Sequence, residues 1–345
     1  MRLRRRAALL HLKPRLASAA VRAVVITPEH RLTVAERPDP VPGPGEVRVR
    51  VHAAGINRAD LLQAAGLYPP PAGTPPDIPG LEFAGEVAAP GAGTSLPVGA
   101  RVFGLVGGGA QAELLTVHEE HCAAVPDGLE WAAAGAVPEA FVTSHDALVT
   151  IAVLRAGEVV LVHAAASGVG TATVQLAHAW GAAVVGTSRT EEKLERCRGL
   201  GLDHAVVVPR ELDANALADS IVAAAGPVDV TIELVGGDYL RADVAAAAAG
   251  GRIVLVGALA GARSELDITT TMGKRLQITG TMLRNRSVAE KAAAIAAFAR
   301  DVVPLLASGA VAPVVARTLP LGDAEEAYDL LARDAVFGKV VLTAG

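Results

Sequence analysis

Apolar and β-branched residues fall into two textures along the chain. Between residues 21 and 130 they form short runs, at 22–26, 46–52, 84–88 and 111–117, separated by Pro and Gly. Such runs predict the strands of a β-rich unit bounded by turns. The stretch 68–79 reads Tyr-Pro-Pro-Pro-Ala-Gly-Thr-Pro-Pro-Asp-Ile-Pro. Its prolines lack the N–H that a helix or central strand needs, so it predicts a stiff surface loop. From residue 155 near-continuous apolar runs alternate with helical patterns, at 159–163, 183–187, 205–208, 229–234, 252–257 and 276–281. Strands apolar on both faces belong in a parallel sheet covered by helices, and six of them match a Rossmann sheet. Within this part a helix over 242–249 is expected to stop at Gly250-Gly251, where glycine can take the left-handed cap conformation. A helix over 289–306, a strand near 311–317, a helix over 324–332 and a strand over 339–342 then return to another texture. The pattern predicts an α/β protein: a doubly wound parallel sheet inserted into a β-rich domain that the tail completes.

The predicted strand 159–163 runs into Ala164-Ala165-Ala166-Ser167-Gly168-Val169-Gly170, followed by a helix over 171–180. In the dinucleotide fingerprint G-x-G-x-x-G the glycines allow a tight turn, close approach of the pyrophosphate and tight helix–strand packing. Here Ala165 and Ser167 take the first two glycine places and Gly170 keeps the third. Strand, loop and helix nonetheless follow in the required order, and a helix N-terminus offers unpaired N–H groups to phosphate. The competing reading is an ordinary glycine-containing turn. An NAD enzyme would carry an acid at the tip of the second strand. That tip reads Gly186-Thr187-Ser188-Arg189, with Lys193 four residues on. A hydroxyl and two cations suit a 2′-phosphate, so NADPH is the expected cofactor, although Glu191 and Glu192 stand beside them.

Composition narrows the class. Of 345 residues 51% are hydrophobic and 19% charged, which describes a folded globular protein. The formal net charge of −5 provides no broad basic footprint for nucleic acid. The two cysteines, Cys122 and Cys197, make neither a disulfide framework nor a four-cysteine zinc lobe, and a reducing cytoplasm is expected. No apolar run reaches the ~18 residues of a membrane span, so no membrane partner is expected. Residues 1–20 stand apart: arginines and a lysine alternate with Leu and Ala, as in a presequence or a membrane-surface helix. A mis-assigned start, with Val21 as initiator, is the plainer alternative.

Several motifs coincide with one family. Asn57-Arg58-Ala59-Asp60-Leu61, Gly66-Leu67-Tyr68-Pro69-Pro70-Pro71, Pro79-Gly80-Leu81-Glu82-Phe83-Ala84-Gly85, Gly107-Gly108-Gly109-Ala110-Gln111-Ala112 and Val137-Pro138-Glu139-Ala140-Phe141 join the Ala165–Gly170 loop. In order, over roughly residues 21–343, they resemble the zinc-free quinone oxidoreductases of the medium-chain dehydrogenase/reductase superfamily, the zeta-crystallin group. Within it the chain is similar to the branch with the tumour-suppressor-induced quinone oxidoreductase. The resemblance implies a GroES-like catalytic domain from residues 21–143 and 287–345, with a Rossmann NADPH-binding domain over 144–286.

Zinc-dependent relatives carry Cys where this chain has Asn57, and His where it has Leu81. An amide and an isobutyl group cannot replace a thiolate and an imidazole, and His118 with His121 is the nearest approach to metal spacing, so no metal is expected. Without a metal, hydride addition to a C=C bond conjugated to a carbonyl is the accessible chemistry, since charge develops on an oxygen that needs only a hydrogen-bond donor. The resemblance sets Asn57 beside the nicotinamide and makes Tyr68 a candidate proton donor; each has a plainer alternative, an Asx-turn for Asn57 and a stacking or packing ring for Tyr68. It also implies cofactor contacts from Thr143, from Ala165, Ala166, Ser167, Gly168, Val169 and Gly170, and from Val235 and Gly236 with Gly237. Gly257, Ala258 and Leu259, then Met282, Leu283 and Arg284, then Phe337, Gly338 and Lys339, are expected to continue that surface. Some family members place a Tyr after the third strand against the 2′-phosphate. Val208-Pro209-Arg210 stands there instead, so the NADPH preference rests on Ser188, Arg189 and Lys193.

The expected activity is reduction of a quinone or other α,β-unsaturated carbonyl. An enoyl-thioester reductase and a non-catalytic, crystallin-like NADPH-binding protein are the alternatives. A homodimer through the apolar edge strand 276–281 is expected.

Overall fold

The computed structural model describes residues 20–344. The expected N-terminal extension therefore lies outside the described residues, except for Ala20, which opens the first strand. Strands β1 (Ala20–Ile26) and β2 (Leu32–Pro38) pair as an antiparallel hairpin. Hydrogen bonds from Val24 to Gln111 and from Ile26 to Asp77 tie the hairpin to the body of the protein. The β-rich part continues with β3 (Glu46–Ile56), β4 (Glu82–Pro90), β5 (Arg101–Leu105), β6 (Leu114–His118) and β7 (Cys122–Ala124).

The parallel part holds β8 (Val159–Val162), β9 (Ala183–Ser188), β10 (His204–Val207), β11 (Val228–Glu233), β12 (Ala247–Leu255) and β13 (Gln277–Gly280). They lie side by side in the order β10-β9-β8-β11-β12-β13, which is the 3-2-1-4-5-6 order of a Rossmann sheet. The chain then returns through β14 (Val315–Pro320) and β15 (Lys339–Thr343) to the first sheet, ordered β14-β15-β3-β4-β5-β7 with β6 beside β3. β15 pairs antiparallel with β3, so strands from the two ends of the described chain complete one sheet.

Burial explains the assignment. Val160, Leu161, Val162, Val184, Val185, Val230 and Ile232 are wholly or almost wholly buried, because helices cover both faces of the parallel sheet. One apolar core then runs from Phe103 of β5 through Phe141 to the Rossmann strands, with Phe298 packed against Phe103 at a ring separation of 5.7 Å. The β-rich and parallel parts thus share a core. No helix among the described residues is long and apolar enough to cross a membrane.

Three expected elements differ. The helix expected over 242–249 is Tyr239–Ala246, and β12 starts at Ala247, before Gly250. The register of β12 against β11 shifts between Val228 and Val230, so the glycines lie in a bulge and not at a helix cap. The helix expected over 289–306 is two, Val288–Asp301 and Val303–Ser308. Pro304 has no N–H to continue the first helix and instead starts the second. The strand near 311–317 lies later, at Val315–Pro320.

Candidate functional site

The candidate residues gather at the C-terminal ends of the parallel strands, where open α/β sheets bind ligands. β8 ends at Val162; two residues on, Ala164 takes a left-handed conformation with φ 48°, a costly choice for alanine that turns the chain into the loop. Ser167 caps the helix Gly168–Ala179, its hydroxyl accepting from Gly170 N at 3.0 Å. A Cβ on Gly170 would lie 2.3 Å from the Ala164 carbonyl, so the third fingerprint place must be glycine. Ala165 and Ala166 are buried under this turn, and Ala166 O accepts from Gly338 N at 2.9 Å. The loop is therefore fastened to the segment that leads into β15. Thr143 lies on the buried helix Pro138–His145, whose next residue, Ser144, bonds Thr173 of the loop helix at 2.8 Å.

The next strand ends close in. Val235 N and Gly236 N both donate to Glu233 Oε1, the latter at 2.8 Å. Gly236 and Gly237 have φ of 73° and 57°, and Gly237 N donates to Gly261 O. A Cβ on Gly257 would meet the Leu234 carbonyl at 2.4 Å. Ala258 and Leu259 are exposed beyond this approach, and so is Met282, while Leu283 is buried.

At the tip of β9, Arg189 pairs with the Asp334 carboxylate, and Lys193 Nζ donates to the Asp334 carbonyl at 2.5 Å. Arg58 pairs with the other Asp334 oxygen. Arg196 lies 4.0 Å over the Phe337 ring.

At the other end, Asn57 precedes the helix Arg58–Ala64, and its backbone N donates to Asp60 Oδ2 at 2.8 Å. Its side-chain amide is used elsewhere: Nδ2 donates to Glu82 Oε1 at 2.8 Å and Oδ1 accepts from Lys339 Nζ at 2.5 Å. Lys339 also donates to Glu82 Oε1 at 2.5 Å and to Ile56 O at 3.0 Å. Both ions are buried, Lys339 at 5% exposure and Glu82 at 0%. Lys339 thus lies beneath Asn57, with its ammonium committed to protein oxygens. Glu82 Oε2 accepts from Glu139 N at 2.8 Å, which fixes the helix that carries Thr143. Burial pushes the Asp60 carboxyl up to about 6, and burial with the Glu82 charge pushes Glu139 up to about 7.

Tyr68 opens the proline loop and lies against Arg284. The Arg284 guanidinium lies 4.7 Å over its ring, and Arg284 Nη1 donates to the Tyr68 carbonyl at 3.2 Å. Arg284 is itself buried and bonds Gln63 Oε1 and Gly107 O. Burial raises the Tyr68 hydroxyl further above its ordinary value, against the lowering effect of Arg284, so it keeps its proton at neutral pH.

Beneath the cleft lies a buried trio that sequence patterning did not single out. His163, Glu233 and Asp243 are each 0% exposed. His163 Nε2 bonds Asp243 Oδ1 at 2.8 Å and Nδ1 bonds Thr187 Oγ1 at 2.8 Å. Glu233 Oε2 and Asp243 Oδ2 have no other partner, and burial raises both carboxyls, which fits one proton held between them. Through Thr187 and the helix Tyr239–Ala246 the trio ties the ends of β8, β9 and β11 together. Its histidine ends an apolar strand and its acids sit in apolar runs, so only the folded chain brings them together. His118 and His121 turn to separate backbone partners, Glu120 N and Val288 O.

Two family models match these parts: the alcohol dehydrogenase GroES-like domain over residues 43–152, and the zinc-binding dehydrogenase model over 168–299. The chain belongs to the medium-chain dehydrogenase/reductase superfamily. Among solved structures it is similar to mycobacterial Rv1454c complexed with NADPH, with TM-score 0.84 and 28% identity over 94% of this chain and 99% of that one. A mycobacterial quinone oxidoreductase gives 0.82 and 28%, with the same coverage. An NAD-dependent alcohol dehydrogenase gives 0.77 and 30%, over 94% of this chain and 100% of that one. Among curated proteins the pikromycin polyketide synthase component PikAII of Streptomyces venezuelae is 34% identical over 309 residues, 89% of this chain. The chain spans only 8% of that synthase's length. This medium-chain dehydrogenase/reductase is accordingly an oxidoreductase fold with a nucleotide-binding Rossmann sheet.

Proposed function

We propose that the protein is a zinc-independent, NADPH-dependent reductase of quinones or other α,β-unsaturated carbonyls. The observation that carries this reading is the Asn57–Glu82–Lys339 network, which holds a neutral amide where a metal-dependent relative needs a thiolate. Leu81, at the expected imidazole position, is 2% exposed and packed in the core. These residues do not fit a catalytic zinc.

The nucleotide does fit. Gly170 lets the helix N-terminus approach closely, Gly236 and Gly257 leave two strand ends bare of side chains, and Ser188, Arg189 and Lys193 supply a hydroxyl and two cations for a 2′-phosphate. NADPH supplies a hydride when bound. Hydride addition at the β-carbon would place negative charge on the carbonyl oxygen, where a donor from this chain would stabilise it and supply the proton. Lys339 and Glu82 fix Asn57 so that its remaining amide N–H stays available to nicotinamide or substrate. Tyr68, protonated at neutral pH, is the proposed donor to the oxygen.

An enoyl-thioester substrate is the second reading, favoured by the match to a polyketide synthase component. A homodimer is proposed through β13, the exposed edge of the parallel sheet. The test is NADPH oxidation by the purified protein across simple quinones, enones and crotonyl thioesters, after dialysis against a chelator. Turnover of quinones and enones that survives chelation supports the reading. Turnover of thioesters alone selects the second reading, and loss of activity restored by zinc overturns the metal-free one.

A further inference from the structure

The group proposed to hold the 2′-phosphate already carries an anion of the protein's own. Asp334 follows the helix Ala324–Ala332 in a left-handed conformation, φ 51°, which Asp and Asn tolerate better than other side chains. This turn lets one residue engage both cations: its carboxylate pairs with Arg189, and its carbonyl accepts from Lys193 Nζ at 2.5 Å. Arg58, on the catalytic domain, holds the second carboxylate oxygen. The partners are accessible to water, with side-chain exposures of 60% for Arg189 and 42% for Asp334. Ion pairs of this kind bind weakly. A phosphate monoester, with up to two charges and three acceptor oxygens, is the stronger ligand for the same guanidinium.

The position has a second consequence. NAD-binding Rossmann domains keep an acid at the tip of the second strand for the ribose 2′-hydroxyl. Here that tip is Ser188-Arg189, and Asp334 reaches it from a segment more than a hundred residues away in sequence, at a separation of 145 from Arg189.

We propose that Asp334 is a specificity-determining residue: a built-in competitor that occupies Arg189 and Lys193 until a 2′-phosphate displaces it, and so limits the margin by which NADPH is preferred over NADH. The inference rests on the reading of Ser188, Arg189 and Lys193 as the 2′-phosphate group. Without the Asp334 carboxylate Arg189 would meet NADPH free of that counter-ion, and the negative charge beside Lys193 would be gone, while NADH, which has no phosphate to gain from them, would bind no better.

The experiment is calorimetric titration of the full chain with NADPH and NADH at fixed ionic strength, for the unmodified protein, Asp334→Asn and Arg189→Ala. Asn keeps the left-handed turn and the carbonyl contact while removing the charge, and thermal denaturation checks that the variant is folded. Asp334→Asn is expected to lower the Kd for NADPH by about threefold to tenfold and not to lower that for NADH. An unchanged or higher NADPH Kd overturns the proposal, as does an equal fall for both nucleotides, which would mean only a looser cleft. Arg189→Ala separates the two levels. If it weakens NADPH while Asp334→Asn has no effect, the phosphate group stands and the competitor falls. If Arg189→Ala leaves NADPH binding unchanged, both fall.

Discussion

A Cβ on Gly168 would stand 2.3 Å from Cδ of Lys339. The first residue of the loop helix thus rests on the stem of a lysine whose tip is fixed by Ile56, Asn57 and Glu82. With its end held and its stem buried, Lys339 cannot swing aside, so the loop and the Asn57 amide move together. Gly168→Ala is expected to destabilise the protein by about 1–3 kcal/mol, raise KM for NADPH and lower kcat. Thermal denaturation and steady-state kinetics check this; unmodified values for both would show that the stem is free to shift.

Removing one member of the buried pair should cost far more than removing both. Lys339→Met leaves the Glu82 carboxylate buried and unpaired, at an expected cost of about 3–5 kcal/mol. Adding Glu82→Gln to it should restore much of that stability without restoring turnover, because Asn57 still lacks its lysine donor. Denaturant titration of the single and double variants measures the first, and NADPH oxidation the second.

Tyr68→Phe removes one hydroxyl and keeps the ring that Arg284 covers. If the hydroxyl donates to the developing oxygen, kcat with an enone should fall by about 10²-fold. Quinones accept hydride more readily, so their loss should be smaller. An unchanged kcat with both would reduce Tyr68 to a packing residue.

Acidity gives a stability signature of definite sign. Glu139 is raised from 4.5 to about 7, by burial first and then by Glu82, and Asp60 from 3.8 to about 6 by burial. Between these ordinary values and the raised ones the native protein holds protons that the unfolded chain has released. Stability therefore falls as pH rises through that window, with Glu139 contributing on the order of 3 kcal/mol. Tm measured from pH 5 to pH 8 should decline, and Glu139→Gln should flatten the decline. A Tm that rises over this range would contradict the assignment.

Oligomeric state tests the sheet edge. Among the described residues β13 pairs only with β12, and Leu266, Ile268 and Met272 just before it are exposed, with Ile268 at 66% and Met272 at 69%. Light scattering at micromolar concentration is expected to give twice 35.0 kDa. Ile268→Lys with Met272→Glu should shift the population toward the single mass.

The parallel sheet was legible because its strands are apolar on both faces and announce themselves without partners. The proline loop and the helix Ala324–Ala332 were legible for equally local reasons. β2, β5 and β7 were not: β7 is the three residues Cys-Ala-Ala, and β2 carries Glu36 and Arg37 within a partly exposed strand. At the proposed site, Asn57, Tyr68 and the loop could be nominated by motif. The groups that orient them could not, because the pairing of Lys339 with Glu82 spans 257 residues and that of His163 with Asp243 spans 80. A buried charge has no periodicity of its own; only the fold shows what neutralises it. Asp334 escaped for the same reason, since nothing near it in sequence marks it as a neighbour of Arg189.

The pairing of β15 with β3 also sets an order of events. Ile56 meets Val340 in that ladder, and the whole Rossmann insert separates them along the chain. A ribosome making this protein exposes Asn57 and Glu82 long before it delivers the lysine that bonds the first and neutralises the second. Contacts of such high sequence separation form slowly, since a long loop must close first. The parallel part can therefore assemble while the first sheet is still open beside an uncompensated acid, and the proposed site is complete only when residues 339–343 insert between β14 and β3.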